Sequence, residues 1–218
     1  MMIRIAGTLV FTLSFCCAGF AQSWEIGGAG GFSAPRSLDV SNGNANGKAS
    51  FTNGVTFGAV LGQRLYNRFS GEARYTYRAG DLKLTGNGQE AKLGGDAHVM
   101  HYDLLIHATK PEAVVRPYAA VGGGAEIFRG TSAPPVFQPL NNLAVLTQTW
   151  QAEPLISLGG GVKFALGQRA IFRLDFRDYA TPVPDKLFAA RAGSKLNGWM
   201  HDFVFLVGIS YAFRVAPY

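Results

Sequence analysis

Four histidines, His98, His101, His107 and His201, are the side chains best suited to metal binding or acid–base chemistry. The alternation of polar and apolar residues predicts that His101 and His107 lie on one strand. Their six-residue separation is roughly 20 Å, too far for one metal ion to bridge. His98 is predicted on the opposite face of that strand from His101, and His201 on a strand that is not its neighbour. The spacing therefore predicts no metal site and no cofactor.

Serine is the other candidate for chemistry, because a serine beside a histidine and an acid can act as a nucleophile. Ser157 is predicted to face inward with no histidine within hydrogen-bond reach, and Ser70 is predicted in a turn. We therefore predict that the protein is not an enzyme and has no catalytic residues. A lipid-modifying enzyme of the outer membrane remains an alternative, because His101 and Asp103 are predicted inward and polar residues are predicted near the lipid boundary.

The elements that position these residues are predicted to be strands. Apolar and polar residues alternate in segments of about ten residues, the pattern of a strand with two different faces. Many of the 28 glycines lie inside these segments, where they would destabilise a helix. The triplets at 122–124 and 159–161 precede no helical pattern, so they indicate strand glycines that ease curvature rather than phosphate-binding loops. Eight strands are predicted: Trp24–Phe32, Gly54–Leu65, Phe69–Ala79, Ala97–Thr109, Val115–Phe128, Glu153–Leu166, Ala170–Tyr179 and Trp199–Phe213.

The predicted connections alternate between short and long. Bacterial membrane barrels pair short periplasmic turns with long outer loops, whereas hairpin loops of compact soluble sandwiches have about two to five residues. The pattern predicts an all-β fold, an eight-stranded antiparallel up-and-down transmembrane β-barrel with short periplasmic turns and four long outer loops. The short turns are Tyr66–Arg68, Lys110–Val114 and Gly167–Arg169, and the long loops are Ser33–Asn53, Gly80–Asp96, Gly130–Gln151 and Ala180–Gly198.

Aromatic residues and one apolar loop add to this interpretation. Aromatic rings favour the two interfaces between lipid and water. The loop Gly130–Gln151 is more apolar than a solvated loop should be, so we expect it to pack over the barrel mouth or to contact a partner. The predicted interfacial aromatics are Trp24, Tyr66 and Phe213 at the periplasmic ends and Trp150, Tyr179 and Trp199 at the outer ends.

The inward faces of the predicted strands carry acids and bases in nearly equal numbers. Buried charges are costly unless they are paired, and an eight-stranded barrel has an interior just wide enough for side chains. We therefore predict an ion-pair network that fills the lumen, which argues against a wide aqueous channel. A narrow conduit for small solutes remains an alternative. The predicted network comprises Glu72, Arg74, Arg78, Asp103, Arg116, Glu126, Arg173, Asp175, Arg177 and Asp202, with further inward charges at Glu25, Arg64 and Lys163.

The N-terminus has the features of an export signal. Arg4 is followed by an apolar run to Phe20 and by small residues near Ala21, which predicts a signal peptide over residues 1–21 and a mature domain over residues 22–218. Cleavage would remove both cysteines and lower the formal net charge from +6 to +5, because Arg4 is the only charged residue lost. The basic residues are dispersed through the chain, which argues against nucleic acid and favours an anionic lipid surface.

Four segments of the predicted strands carry a family resemblance: Arg116-Pro-Tyr-Ala-Ala-Val-Gly-Gly-Gly124, Leu158-Gly-Gly-Gly-Val-Lys163, Phe172-Arg-Leu-Asp-Phe-Arg-Asp-Tyr179 and Gly208-Ile-Ser-Tyr-Ala-Phe213. Together they resemble the small OmpA-like outer-membrane β-barrel proteins, over a region from about Trp24 to Phe213. The last is similar to the terminal-strand signal that the barrel-assembly machinery reads, with Gly208, Tyr211 and Phe213 as its elements. The resemblance implies export through the periplasm to the outer membrane of a Gram-negative cell, with outer-membrane lipids and lipopolysaccharide as neighbours. Larger family members carry a peptidoglycan-binding domain after the barrel, and we expect none here.

From these observations we expect a non-enzymatic integral outer-membrane protein. Its barrel would anchor surface loops that act in envelope integrity or surface recognition. The sequence does not identify the partner of those loops.

Overall fold

The computed structural model describes residues 23–42, 45–136, 138, 140–196 and 198–214. The predicted signal peptide and its cleavage site after Ala21 lie outside the described residues. Within these ranges the chain is built from strands and their connections. They include no helix that is long and apolar enough to cross a membrane.

Eight strands form a closed antiparallel barrel, as the alternation pattern predicts. Each strand pairs with the next along the chain, and the first strand closes the barrel against the last, with Ser23 opposite Arg214 and Pro35 opposite Asp202. With all strands numbered in chain order, the barrel strands are β1 (Ser23–Pro35), β4 (Gly54–Tyr66), β5 (Phe69–Ala79), β8 (Gly95–His107), β9 (Val115–Gly130), β11 (Trp150–Ala165), β12 (Ala170–Pro182) and β14 (Trp199–Arg214).

The two faces of the barrel wall differ, because successive side chains of a strand point to opposite faces. Outward side chains in the middle of the strands are apolar and exposed, for example Phe57, Met100 and Val207. Some of these side chains pack against one another across the strands, as Phe176 does on Phe205, with ring centroids 4.9 Å apart. Inward side chains are buried and largely charged. The wall is therefore apolar outside and polar inside, the inverse of a soluble protein.

Among the predicted interfacial aromatics, Tyr179 is the exception, and its placement was wrong. Its side chain is 1% exposed and points into the lumen. It shares the inward face of β12 with Arg177, two residues earlier, because residues two apart on a strand face the same way. By contrast, Trp150 and Trp199 at one end and Tyr66 at the other are exposed.

The four long connections predicted from the sequence are present, and within the described residues they contain six short strands that the sequence did not predict. These strands are β2 (Leu38–Asn42), β3 (Ala45–Phe51), β6 (Leu82–Gly86), β7 (Gln89–Leu93), β10 (Ala144–Leu146) and β13 (Phe188–Ala190). They form two small antiparallel sheets, one in the order β2-β3-β6-β7 and one that pairs β10 with β13. Lys195 also bridges to Ser41 in β2, which connects the fourth connection to the first.

The folded connections share one hydrophobic core with the adjacent barrel mouth. Ala97, Phe128 and Met200 come from barrel strands, and the rest of the core comes from all four connections. Leu140, Leu143 and Leu146 belong to it, so the apolar segment Gly130–Gln151 packs over the mouth. We call the described parts of 36–53, 80–94, 131–149 and 183–198 the cap. The core comprises Val40, Ala49, Phe51, Leu82, Leu84, Ala91, Leu93, Ala97, Phe128, Leu140, Leu143, Ala144, Leu146, Val183, Leu187, Phe188 and Met200.

Candidate functional site

The middle of the lumen is filled by a compact group of buried charges. We call this group the central cluster, and it contains four acids and four bases. Every one of its side chains comes from the inward face of a barrel strand. The members are Glu25 of β1, Glu72 and Arg74 of β5, Asp103 of β8, Lys163 of β11, and Arg173, Asp175 and Arg177 of β12.

Each carboxylate of the central cluster contacts more than one cation or hydrogen-bond donor. Glu72 receives Lys163 Nζ at 2.6 Å and Arg173 Nη2 at 2.9 Å, and Arg74 Nε lies 3.2 Å from it. Asp175 contacts Arg173 at 2.7 Å and Arg74 at 3.0 Å, and the hydroxyl of Tyr118 also donates to it. Because each buried charge has a partner, the cluster holds its acids and bases without a net excess of either.

Glycines at inward positions of the barrel strands make room for side chains in the lumen. A Cβ on Gly124 would lie 2.7 Å from Cβ of His101, and a Cβ on Gly161 would lie 2.6 Å from Oη of Tyr118. Both glycines belong to the triplets that the sequence pattern assigns to strands. Their inward positions therefore provide space for the lumen side chains, in addition to any effect on curvature.

A second polar chain links two strands on opposite sides of the lumen. His101 Nδ1 lies 2.9 Å from Asp103 Oδ1, and His101 Nε2 lies 3.0 Å from the hydroxyl of Tyr179. Arg177 Nε donates to the other oxygen of Asp103 at 3.0 Å. All four side chains are buried. The pattern of charges alone did not reveal this chain, because Tyr179 was expected at the lipid interface.

A smaller group of charges lies between the central cluster and the cap. Arg78 Nη2 donates to Glu126 at 2.9 Å, and Arg78 Nε lies 3.0 Å from Asp202. The guanidinium carbon of Arg78 lies 4.9 Å from the ring centroid of Phe51, a residue of the cap core. Arg78 therefore contacts both the lumen network and the cap.

The structure brings nine of the ten predicted network residues into ion pairs inside the lumen. Arg116 is the tenth and lies apart from them, half-buried at the end of the barrel where β9 begins. Among the described residues, no acid of the central cluster lies within ion-pair distance of Arg116. The predicted assembly signal lies on β14, where Tyr211 and Phe213 are exposed on the outer wall.

The end of the barrel opposite the cap contains a cavity of about 610 Å³, which we call the vestibule. Its walls include Arg64, Ser70, His107, Arg116 and Lys163. Ser70 lies in strand β5, which has the predicted bounds Phe69–Ala79, so its separate assignment to a turn was wrong. Its Oγ lies 2.8 Å from Nε2 of His107, and both side chains are buried. The serine–histidine pair was therefore missed from the sequence.

The remaining histidines and the predicted serine have simple surroundings. His98 Nδ1 lies 2.8 Å from the hydroxyl of Tyr75, and His201 Nδ1 lies 2.9 Å from Asp178. The Oγ of Ser157 is buried with no hydrogen-bond partner among the described residues. Within the same part of the chain, no three His, Cys, Asp or Glu side chains are grouped as metal ligands would be.

Comparison with known proteins shows the fold. No protein-family model matches the chain, and no curated protein matches its sequence. The crystal structure of the outer membrane protein OprG from Pseudomonas aeruginosa is similar, with a TM-score of 0.55 and 15% identity over 88% of this chain and 96% of that one. The crystal structure of Neisserial surface protein A has a TM-score of 0.53 and 11% identity over 88% of this chain and 97% of that one. The chain therefore has the fold of the small outer-membrane β-barrels.

Proposed function

We propose that the protein is a non-enzymatic integral outer-membrane protein of the OmpA-like type, whose barrel anchors the cap at the cell surface. The cap would act in envelope integrity or in the recognition of a surface partner. The single observation that carries this proposal is the hydrophobic core that the cap shares with the barrel mouth. A core of this kind gives the connections a fixed shape, as a recognition surface needs.

The outer wall supports the placement in a membrane. Apolar side chains such as Ile26, Phe57, Met100 and Val207 are half or more exposed, on strands from around the barrel. Water would solvate such a wall poorly, and a lipid bilayer would solvate it well. Because the sheet closes on itself, each barrel strand pairs with a neighbouring strand on both sides.

The lumen supports an anchor rather than a channel. Arg173 and Arg177, two of the largest side chains in the barrel, are fully buried in the lumen and held in ion pairs. The cap core then covers the mouth beyond Arg78. A hydrated solute would have to break several buried ion pairs to pass, and breaking each one costs about 3–5 kcal/mol.

The surface charge of the cap supports contact with lipopolysaccharide. Lys83 and Lys92 contact Glu90 at 2.6 Å and 2.8 Å on the exposed face of the four-stranded sheet. Hydrogen bonds from these two ammonium groups lower the pKa of Glu90. Lys48, Lys83 and Lys92 lie on this face beside Asp39 and Glu90, and their ammonium groups can contact the anionic groups of an outer leaflet.

Cell fractionation tests the proposal. The tagged protein should be recovered in the outer-membrane fraction, and its gel mobility in mild detergent should differ between boiled and unboiled samples. A tag inserted at the exposed Val136 of the cap should be cleaved by protease added to intact cells. Recovery in the soluble fraction, or a tag protected in intact cells, would contradict the anchor at the surface. Conductance steps in a planar bilayer would favour the conduit instead.

A further inference from the structure

The vestibule at the end of the barrel opposite the cap has the volume and the lining of a ligand site. Its volume of about 610 Å³ lies in the range that small-molecule sites occupy. It is separated from the cap by the central cluster and by the group around Arg78. A ligand in the vestibule would therefore not contact the proposed recognition surface.

Arg116 lines the vestibule without an ion pair to any described residue. Glu25 and Glu72 border the cavity, but both carboxylates are bound by Lys163 and Arg173. Arg116 interacts with Glu25 and Glu112 only at longer range, and its Nε is buried with no hydrogen-bond partner among the described residues. Arg64 places a second guanidinium on the same wall and repels that of Arg116.

His107 is a second, independent indication that the vestibule binds a ligand. It lines the vestibule with 2% of its side chain exposed, and its Nδ1 has no hydrogen-bond partner in the described chain. When the Ser70 hydroxyl donates to Nε2, the proton of the neutral ring lies on Nδ1 and is available as a donor. No acid orients this nitrogen, so the pair lacks the third member that nucleophilic catalysis needs.

We propose that the vestibule binds a small oxyanion, the phosphate or carboxylate group of a solute. Arg116 provides the charge, with Arg64 beside it, and His107 and Ser70 provide neutral hydrogen bonds. A guanidinium matches the oxygens of either group in a two-pronged geometry. The ligand enters from the end opposite the cap and stops at the central cluster.

Tryptophan fluorescence can measure this binding, because Trp24 lines the vestibule whereas Trp150 and Trp199 lie at the other end of the barrel. The protein purified in detergent, with Trp150 and Trp199 replaced by Phe, would be titrated with inorganic phosphate and with succinate. Ionic strength is held constant with sodium chloride. We expect a saturable change in Trp24 emission with at least one of the two, and calorimetry on the wild-type chain should give the same affinity.

Two arginines of the vestibule provide a matched pair of variants. Arg116→Gln should weaken binding by about tenfold or more, since a hydrogen bond to a charged group is lost. Arg169→Gln should leave the affinity unchanged, because the Arg169 guanidinium is already held by the Tyr211 hydroxyl at 2.7 Å. Arg116→Lys keeps the charge and should bind with intermediate affinity. If Arg116→Gln lacks the heat-dependent mobility shift and is therefore not folded, the affinity of Arg116→Lys is used as the test.

Absence of any saturable change with both anions would overturn the proposal. So would equal affinities for the wild type and for a folded Arg116→Gln variant. Neither result bears on the cap, so failure of this site is distinguishable from failure of the proposed surface anchor.

Discussion

Glu72 Oε1 and Lys163 Nζ lie 2.6 Å apart in the lumen, although 91 residues separate them along the chain. They come from β5 and β11, which are not neighbours in the barrel. The contact therefore spans the interior and connects opposite parts of the wall. Both residues also contact a second pair: Lys163 contacts Glu25, Glu72 contacts Arg173, and Glu25 and Arg173 contact each other.

Removal of the Glu72 charge should destabilise the barrel strongly. Glu72→Gln leaves Lys163 and two arginines with one buried acid fewer, and breaking a buried pair costs about 3–5 kcal/mol. Urea titration of the protein refolded in detergent would measure the loss. Ser157→Ala is the control: its buried hydroxyl has no partner in the described chain, so its free energy of unfolding should change little. Equal effects of the two substitutions would contradict the network.

The hydroxyl of Tyr179 should matter more than that of an outward tyrosine. Tyr179→Phe leaves His101 Nε2 buried without its partner at 3.0 Å, and an unsatisfied buried group costs about 1–3 kcal/mol. Tyr75→Phe removes a hydrogen bond to His98 on the exposed wall and should cost less. The same urea titration compares the two variants. A larger loss for Tyr75→Phe would show that the buried chain contributes little.

The barrel could be predicted from the sequence because its signal is local. In segments such as 170–179, each residue's face follows from its neighbours, so the strands and most inward charges could be assigned without knowing the pairing. The partners of those charges could not, because Lys163 meets Glu72 only after the sheet closes. Arg116 shows the same limit, since its inward position is right but its distance along the barrel axis separates it from the acids.

The apolar composition of Gly130–Gln151 indicated packing over the mouth, but the strands of the cap could not be predicted because they are short and their core is shared. Strands such as Ala144–Leu146 and Phe188–Ala190 have three residues each, too few to show a period. Their apolar side chains find partners only in other connections, for example Leu146 and Phe188 in the same core as Leu84. The contact of Ser70 with His107 was missed for a related reason, since it depends on the register between β5 and β8.

A cavity in the cap core should loosen the cap and spare the barrel. Leu187 is fully buried in that core, and a Leu→Ala change there costs about 2–5 kcal/mol. Protease added to intact cells should cleave the Leu187→Ala cap faster than the wild type, while the heat-dependent mobility shift of the barrel persists. Val136→Ala changes a fully exposed side chain and should match the wild type. Loss of the mobility shift in Leu187→Ala would show that the cap and the barrel fold as one unit.

A charge on the outer wall should disturb insertion. Val207 is 52% exposed near the middle of β14, and an arginine on the lipid face of a barrel costs about 2–4 kcal/mol at the bilayer midplane. Val207→Arg should lower the amount of protein in the outer-membrane fraction. Val136→Arg places the same charge in the cap and should be recovered normally. Normal recovery of Val207→Arg would mean that this part of the wall does not face lipid.

The terminal aromatic should act during assembly more than in the folded state. If Gly208, Tyr211 and Phe213 form a signal for the assembly machinery, Phe213→Ala should reduce the folded protein recovered from cells. The same variant refolded in detergent should lose little stability, because the Phe213 side chain is 38% exposed. Phe164→Ala is the control, because Phe164 lies at the same end of the barrel and its ring is tilted against that of Phe172, with centroids 6.0 Å apart. Equal recoveries of the two variants from cells would assign Phe213 to packing alone, whereas a loss confined to Phe213→Ala would assign it to assembly.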